Sequence, residues 1–240
     1  MTIEGQAVGG MSMEEAKRIV TDLAKAKDVP AVNAGFDSNT GEIIPERPGQ
    51  RLNVTATVDD LLVAAPNSNV TPVYTPYMPN LTKDLLERSQ QMGKATTPIL
   101  DNSAGRMTNI ELTAKIINNA IIAAAQEFSF NKAVGEVTPE RGFQEATVLG
   151  ENGKEQGVGG GMCQVSSTLY NAVLAADLTV TERHPHSQPV TYIPPGKDAT
   201  VYTDKDLRFV NTTRKRLIIR AFVHDRGSKL TTELWALPDA

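Results

Sequence analysis

The stretch GVGGGMCQVSSTLYNAVLAAD, residues 157–177, constrains this chain more than any other, because it sets the only cysteine between a glycine-rich turn and a helical run. Glycines 157 and 159–161 permit tight or positive-φ backbone. From Cys163 onward, Val165, Thr168, Leu169, Ala172, Val173 and Ala176 recur at helical spacing. A thiol at a helix N-terminus faces unpaired N–H groups and the positive end of the dipole, which favours its thiolate. Arg183-His-Pro-His186 follows and carries two of the three histidines. A cysteine ahead of a helix, with histidine nearby, is the skeleton of a thiol nucleophile and its base. The competing reading is a cysteine that only fills space. Packing alone needs neither three consecutive glycines nor a histidine pair.

His184 and His186 lie two apart, so an extended segment would put both side chains on one face. Either can serve as base for Cys163, the other orienting substrate or playing a structural part. The β-like run after Ser187 favours His186. The amides of Cys163 and Gln164, with those of Gly160 and Gly161, can form an oxyanion hole. Ser166 lies where it can line a cleft or bond the helix terminus. Arg183 and Arg106 are candidate carboxylate anchors, and Asp198 and Asp206 candidate histidine orienters. His224, beside Asp225, reads as a surface histidine. Cys163, His184 and His186 could be three zinc ligands, but no paired Cys-x-x-Cys or His-Glu-x-x-His spacing supports a metal site. No cofactor is expected.

The remaining composition excludes several classes. A formal charge of −4, from 24 basic and 28 acidic residues, gives no footprint of a nucleic-acid or membrane-surface binder. The longest apolar run, Ala120 to Ala125, is far short of the ~20 residues that span a bilayer. The start, MTIEGQAVGG, has neither basic nor apolar signal-peptide regions. A lone cysteine excludes an internal disulfide, leaves the compartment open and leaves the thiol free.

The chain reads as α+β in two parts. Residues 1–90 form a small α+β domain: a helix opened by the capping box Ser12-Met-Glu-Glu15, a strand over Val29–Ala34, a turn at Asp37–Gly41, a helix capped at Thr57 and a strand over Val70–Tyr77. Leu81–Met92 reads as a connecting helix. In residues 91–240, Thr108-Asn-Ile-Glu111 reads as a second capping box. After the cysteine helix come short β-like runs at Leu178–Thr181, Val190–Ile193, Thr200–Tyr202, Leu207–Val210, Leu217–Val223 and Leu230–Leu237. A cysteine-bearing helix on a largely antiparallel sheet is the expected core.

From about Thr96 to Val223 the chain resembles a VanW-type domain. The matching pieces are Arg106 with Asn109-Ile110, Phe128-Ser-Phe-Asn131, Gly142-Phe-Gln-Glu-Ala146 and Gly159-Gly-Gly-Met-Cys-Gln-Val-Ser-Ser167. They continue with Arg183-His-Pro-His-Ser187, Pro195-Gly-Lys-Asp-Ala199 and Asp206-Leu-Arg-Phe209. One departure is visible: Asn119–Gln126 lacks the Gly and Pro-Gly usual before the FSFN block. Residues 1–90 resemble a peptidoglycan-binding-type domain. The resemblance implies a thiol acyltransferase acting on peptidoglycan stem peptides, an L,D-transpeptidase that forms 3-3 cross-links through a Cys163 thioester. A non-catalytic wall-binding module and a cysteine peptidase or L,D-carboxypeptidase are the alternatives. It also implies an extracytoplasmic setting, and a piece that begins after a membrane anchor or export signal, with no membrane contact of its own.

Overall fold

The computed structural model describes residues 1–150 and 153–239 and is a mixed α+β fold in which the sheets are mostly antiparallel. Its contacts divide it into two units. One is Met1–Ala34 with Pro45–Lys83, the other Gly35–Ile44 with Asp84–Ala240.

In the first unit, helix Met13–Lys27 begins at the capping box read from the sequence. The Ser12 amide donates to Glu15 Oε2 at 2.9 Å and the Glu15 amide to Ser12 Oγ at 3.3 Å. The second helix, Val54–Val63, is capped by Asn53, whose Oδ1 accepts from the Ala56 amide at 3.0 Å. The expected cap, Thr57, is instead buried inside that helix and accepts from the Val73 amide. Both helices close over Ile3, Val8, Val20, Leu52, Val58, Leu61 and Val70. The run expected as one strand over Val70–Tyr77 is two, Asn69–Val70 and Tyr74–Tyr77, in different sheets. Val29–Ala34 contributes only isolated bridges at Val29 and Val32.

The second unit is built on a four-stranded antiparallel sheet with the order Gln90–Pro98, Lys229–Ala236, Leu217–His224, Ile121–Ile122. The cysteine helix, Met162–Ala175, packs on its first two strands. It buries Val165, Leu169, Ala172 and Val173 completely, each larger one contributing about 1.5–3 kcal/mol of transfer free energy. At Gly93 the helix sits directly on the strand, since a Cβ there would lie 2.1 Å from the Ala172 carbonyl oxygen. Helix Ala104–Ile117 lies against Leu217–His224. It begins at Ser103, so the capping pattern at Thr108 falls inside it and Asn109 is fully buried. A smaller sheet, Glu127–Ser129, Arg208–Val210 and Thr179–Glu182, and the hairpin Glu145–Gly150 with Gly153–Val158 flank this core.

Three further segments differ from their sequence pattern, and one of them, Thr200–Tyr202, contributes only isolated bridges at Thr200 and Tyr202. Leu81–Met92 is helical only at Lys83–Glu87, and the sheet strand has begun by Gln90. Val190–Ile193 forms no strand; Pro189 before it and Pro194-Pro195 after it cannot donate to a ladder. The hairpin Gly35–Phe36 with Ile43–Ile44 belongs to this unit although it interrupts the other in sequence. Phe36 is held through its backbone by Asn118 and Asn119 and packs its ring near Trp235.

Candidate functional site

The glycine turn is fixed by close approach. A Cβ on Gly160 would meet the Thr147 oxygen at 2.6 Å and the Ala146 carbonyl carbon at 2.8 Å. Gly161 caps the helix at φ 112°, a left-handed conformation that only glycine adopts without strain. Asn109 locks the turn from below. Its side-chain amide donates to the Gly160 and Gln144 oxygens, both at 2.9 Å, and its Oδ1 accepts from the Gln144 amide at 2.7 Å. Its sequence position suggested a helix terminus, and only the fold reveals this part.

Cys163 is half-buried in the first helical turn, and its thiol donates to the Val201 carbonyl at 3.6 Å. Burial pushes the thiol up from its ordinary range, and Asp198 adds to this, while the charges of Arg106 and Lys205 pull the other way. Desolvation is the largest of these influences, and it works against the helix-terminus effect expected from the sequence. Among the described residues the Cys163 amide has no acceptor, whereas the Gln164 amide is used on the Gly161 oxygen at 3.0 Å.

Gln164 and the two serines are struts. Gln164, almost wholly buried, accepts from Arg106 Nη2 at 2.9 Å and donates to Thr97 Oγ1 and the Pro98 oxygen. Ser166 donates to the Ala199 oxygen at 2.6 Å. Ser167 donates to the Cys163 oxygen at 2.6 Å and accepts from the Ala199 amide at 2.9 Å. Together they clip the Asp198–Val201 segment onto the cysteine helix. Arg106 keeps a second donor, Nε, buried and without a partner among the described residues.

Asp198 gathers the rest. It accepts from the His186 amide at 2.6 Å and pairs with His186 Nδ1 at 2.7 Å through the same oxygen, while Arg183 Nη2 donates to the other at 2.8 Å. Arg183 Nε donates to the Asp198 carbonyl, so this guanidinium is committed within the fold. Burial raises the Asp198 carboxyl but is outweighed by the His186 hydrogen bonds, and the group ends below its usual range. His184 Nε2 instead meets Glu182 at 3.0 Å. Neither imidazole is hydrogen-bonded to Sγ. Asp206 is used on Ser129, the amides of Asn131 and Leu207, and Arg208. His224 pairs with Thr231 on the sheet.

An open polar cavity of about 280 Å³ is lined by Ser129, Asn131, Lys132, Glu182, Lys205 and Arg208, among others. Cys163 is not in its lining, though Glu182 holds His184 and the Lys205 charge reaches the thiol. Among the described residues no group of three His, Cys, Asp or Glu is placed to hold a metal ion.

The family model described as VanW like protein matches residues 105–235, which cover every side chain above except Thr97 and Pro98. The chain belongs to the VanW-like family. A second model, "Putative peptidoglycan binding domain", matches residues 7–72. This VanW-like chain is 36% identical over 214 residues to the Bacillus subtilis (strain 168) protein "Uncharacterized protein YoaR", covering 87% of this chain and 70% of that one. It is 28% identical over 81 residues to "Vancomycin B-type resistance protein VanW" of Enterococcus faecalis (strain ATCC 700802 / V583), covering 34% and 30%. No solved structure matches it. The two matched domains point to a cell-wall-related role, with peptidoglycan as the partner. No helix among the described residues is long and apolar enough to cross a membrane.

Proposed function

We propose that this VanW-like domain is a thiol acyltransferase on peptidoglycan stem peptides, working as an L,D-transpeptidase at the outer face of the cell. One observation carries the reading: a single buried carboxylate, Asp198, fixes His186 through ring and backbone while its charge also acts on the Cys163 thiol. This is the logic of a base oriented by a third group beside its nucleophile. Asp198 on Nδ1 leaves Nε2 as the nitrogen that takes a proton.

The chemistry runs in two steps. His186 accepts the Sγ proton, and sulfur attacks the diaminopimelate carbonyl of a donor tetrapeptide. The D-alanine amine leaves with that proton and a thioester remains. An amine of a second stem then attacks and gives up its proton to His186, and the thiolate departs, leaving a 3-3 cross-link. Because burial holds sulfur as a thiol, the base is needed at the first step. The Cys163 amide donates to the developing oxyanion. Arg106 anchors a stem carboxylate through its unpaired Nε.

Incubating wild type and Cys163→Ala with disaccharide-tetrapeptide, with intact-mass and product analysis, tests the reading. A cross-linked dimer and a D-alanine-depleted adduct on wild type alone are expected. Tripeptide without dimer would assign an L,D-carboxypeptidase. Binding without turnover by both proteins would assign a non-catalytic wall module.

A further inference from the structure

The polar cavity is built by two segments that one side chain ties together. Asn131, in the short helix Phe130–Val134, donates through Nδ2 to the Tyr202 oxygen at 2.7 Å and the Lys205 oxygen at 2.9 Å. The turn between those two residues is also closed by its own backbone, the Tyr202 amide donating to the Lys205 oxygen at 2.8 Å. It starts one residue after Val201, whose carbonyl accepts from the Cys163 thiol at 3.6 Å. The turn that lines the cavity is thus continuous with the residue the sulfur touches.

The charges on its wall fall into two groups. Asp206 is spent on Ser129 Oγ, the amides of Asn131 and Leu207, and Arg208 Nε. Glu182 is spent on the Asp206 amide, His184 and the same Arg208 Nε. Lys132, Asp204 and Lys205 are exposed, and none makes a side-chain hydrogen bond or ion pair among the described residues. Two ammonium groups and one carboxylate therefore line a hollow whose remaining charges are already paired. A few uncommitted polar groups converging on one concavity are the mark of a ligand site. The matching ligand carries the converse charges close together, a carboxylate for the lysines and an ammonium for Asp204.

We propose that this cavity binds the free α-amino-acid end of a diaminopimelate side chain, the carbon that bears both a carboxylate and an ammonium. Lys132 and Lys205 hold the carboxylate, and Asp204 draws the ammonium. The assignment rests on the acyl-transfer reading and deepens it. Cys163 lies outside the lining, so the occupant is the acceptor stem, brought up beside the thioester, rather than the donor. The bound ammonium gives one proton to water before the amine attacks.

The test has a binding arm and a turnover arm, both in the full chain. In the Cys163→Ala background, calorimetry compares disaccharide-tripeptide with the same tripeptide amidated at its side-chain carboxylate. Changing Lys132 and Lys205 together to Gln should raise Kd for the free acid about tenfold, the discounted worth of charge-assisted contacts in an open site. The same change should leave Kd for the amidated ligand as it was, and the Arg pair should restore free-acid binding. With the cysteine present and disaccharide-tetrapeptide as substrate, the Gln pair should lower the ratio of dimer to tripeptide. That ratio is independent of how fast the thioester forms. Equal losses for free and amidated ligand, or no loss for either, would overturn the site. An unchanged dimer-to-tripeptide ratio would overturn its assignment to the acceptor. Wild type that releases no D-alanine, yet binds tripeptide in a Lys-dependent way, would overturn acyl transfer and leave the cavity as a wall-ligand site.

Discussion

The buried pocket around His186 and the open face around His184 are two residues apart in the chain and opposite in construction. The His186 side chain is 4% exposed and its Asp198 partner 10%, with Arg183 closing the other carboxylate oxygen. The His184 side chain is 37% exposed and its Glu182 partner 33%. In the first region the charge-assisted bonds are desolvated and geometrically fixed. In the second, water competes for the same pairing, which is then worth little. Two histidines of one short motif are thus a buried, fixed side chain and a more exposed one, and the distinction lies in the carboxylate that each one meets.

The largest test of that contrast is catalytic. Replacing His186 by Gln should lower single-turnover D-alanine release by about 10²–10⁴-fold, the usual contribution of a general base. The same change at His184 should leave the rate near wild type. Equal losses at both positions would erase the distinction.

Stability should separate the regions next. Asp198→Ala strips a buried cluster of its carboxylate and leaves Arg183 Nη2 and the amide and Nδ1 of His186 unmatched. A loss of about 3–5 kcal/mol in urea unfolding is expected. His184→Ala should cost under about 1 kcal/mol.

Acid sharpens the comparison with a definite sign. The folded Asp198 carboxyl titrates below its ordinary value of 3.8, so its stabilisation is complete above that value and is lost as pH falls through the lower, folded one. The gap in unfolding free energy between wild type and Asp198→Asn should therefore be constant at neutral pH and shrink only in strong acid. Cys163 moves the opposite way, its alkylation rate still climbing with pH beyond the ordinary thiol value of 9.0.

The smallest effect concerns the outer support of the pocket. The Arg183 guanidinium carbon lies 5.5 Å from the centroid of the Tyr170 ring. Tyr170→Leu should cost about 0.5–1 kcal/mol, read as a small drop in urea midpoint with release intact.

Legibility tracked how local the signal was. The cysteine helix, its glycine turn and the long strands ending the chain stand close to their sequence pattern, because apolar spacing encodes which face is buried. Capping boxes were half-legible. Ser12 and Glu15 start a helix, whereas the same pattern at Thr108 lies in a helix already begun at Ala104. Local chemistry is identical there, and tertiary packing decides. Asn109 could be matched to the family pattern, but its hold on Gly160 and Gln144 could not be read, since those partners lie far along the chain. Asp198 could be nominated from sequence, but its bond to His186 could not.

The seat of the cysteine helix at Gly93 has a mechanical consequence. Ala172, which rests on that glycine, lies nine residues from Cys163, about 13 Å along the axis at ~1.5 Å per residue. The helix is then a lever whose fulcrum is a backbone contact with no slack. A side chain at position 93 would push the helix off its strand, so the seat of Cys163 depends on a backbone contact at the far end of its own helix.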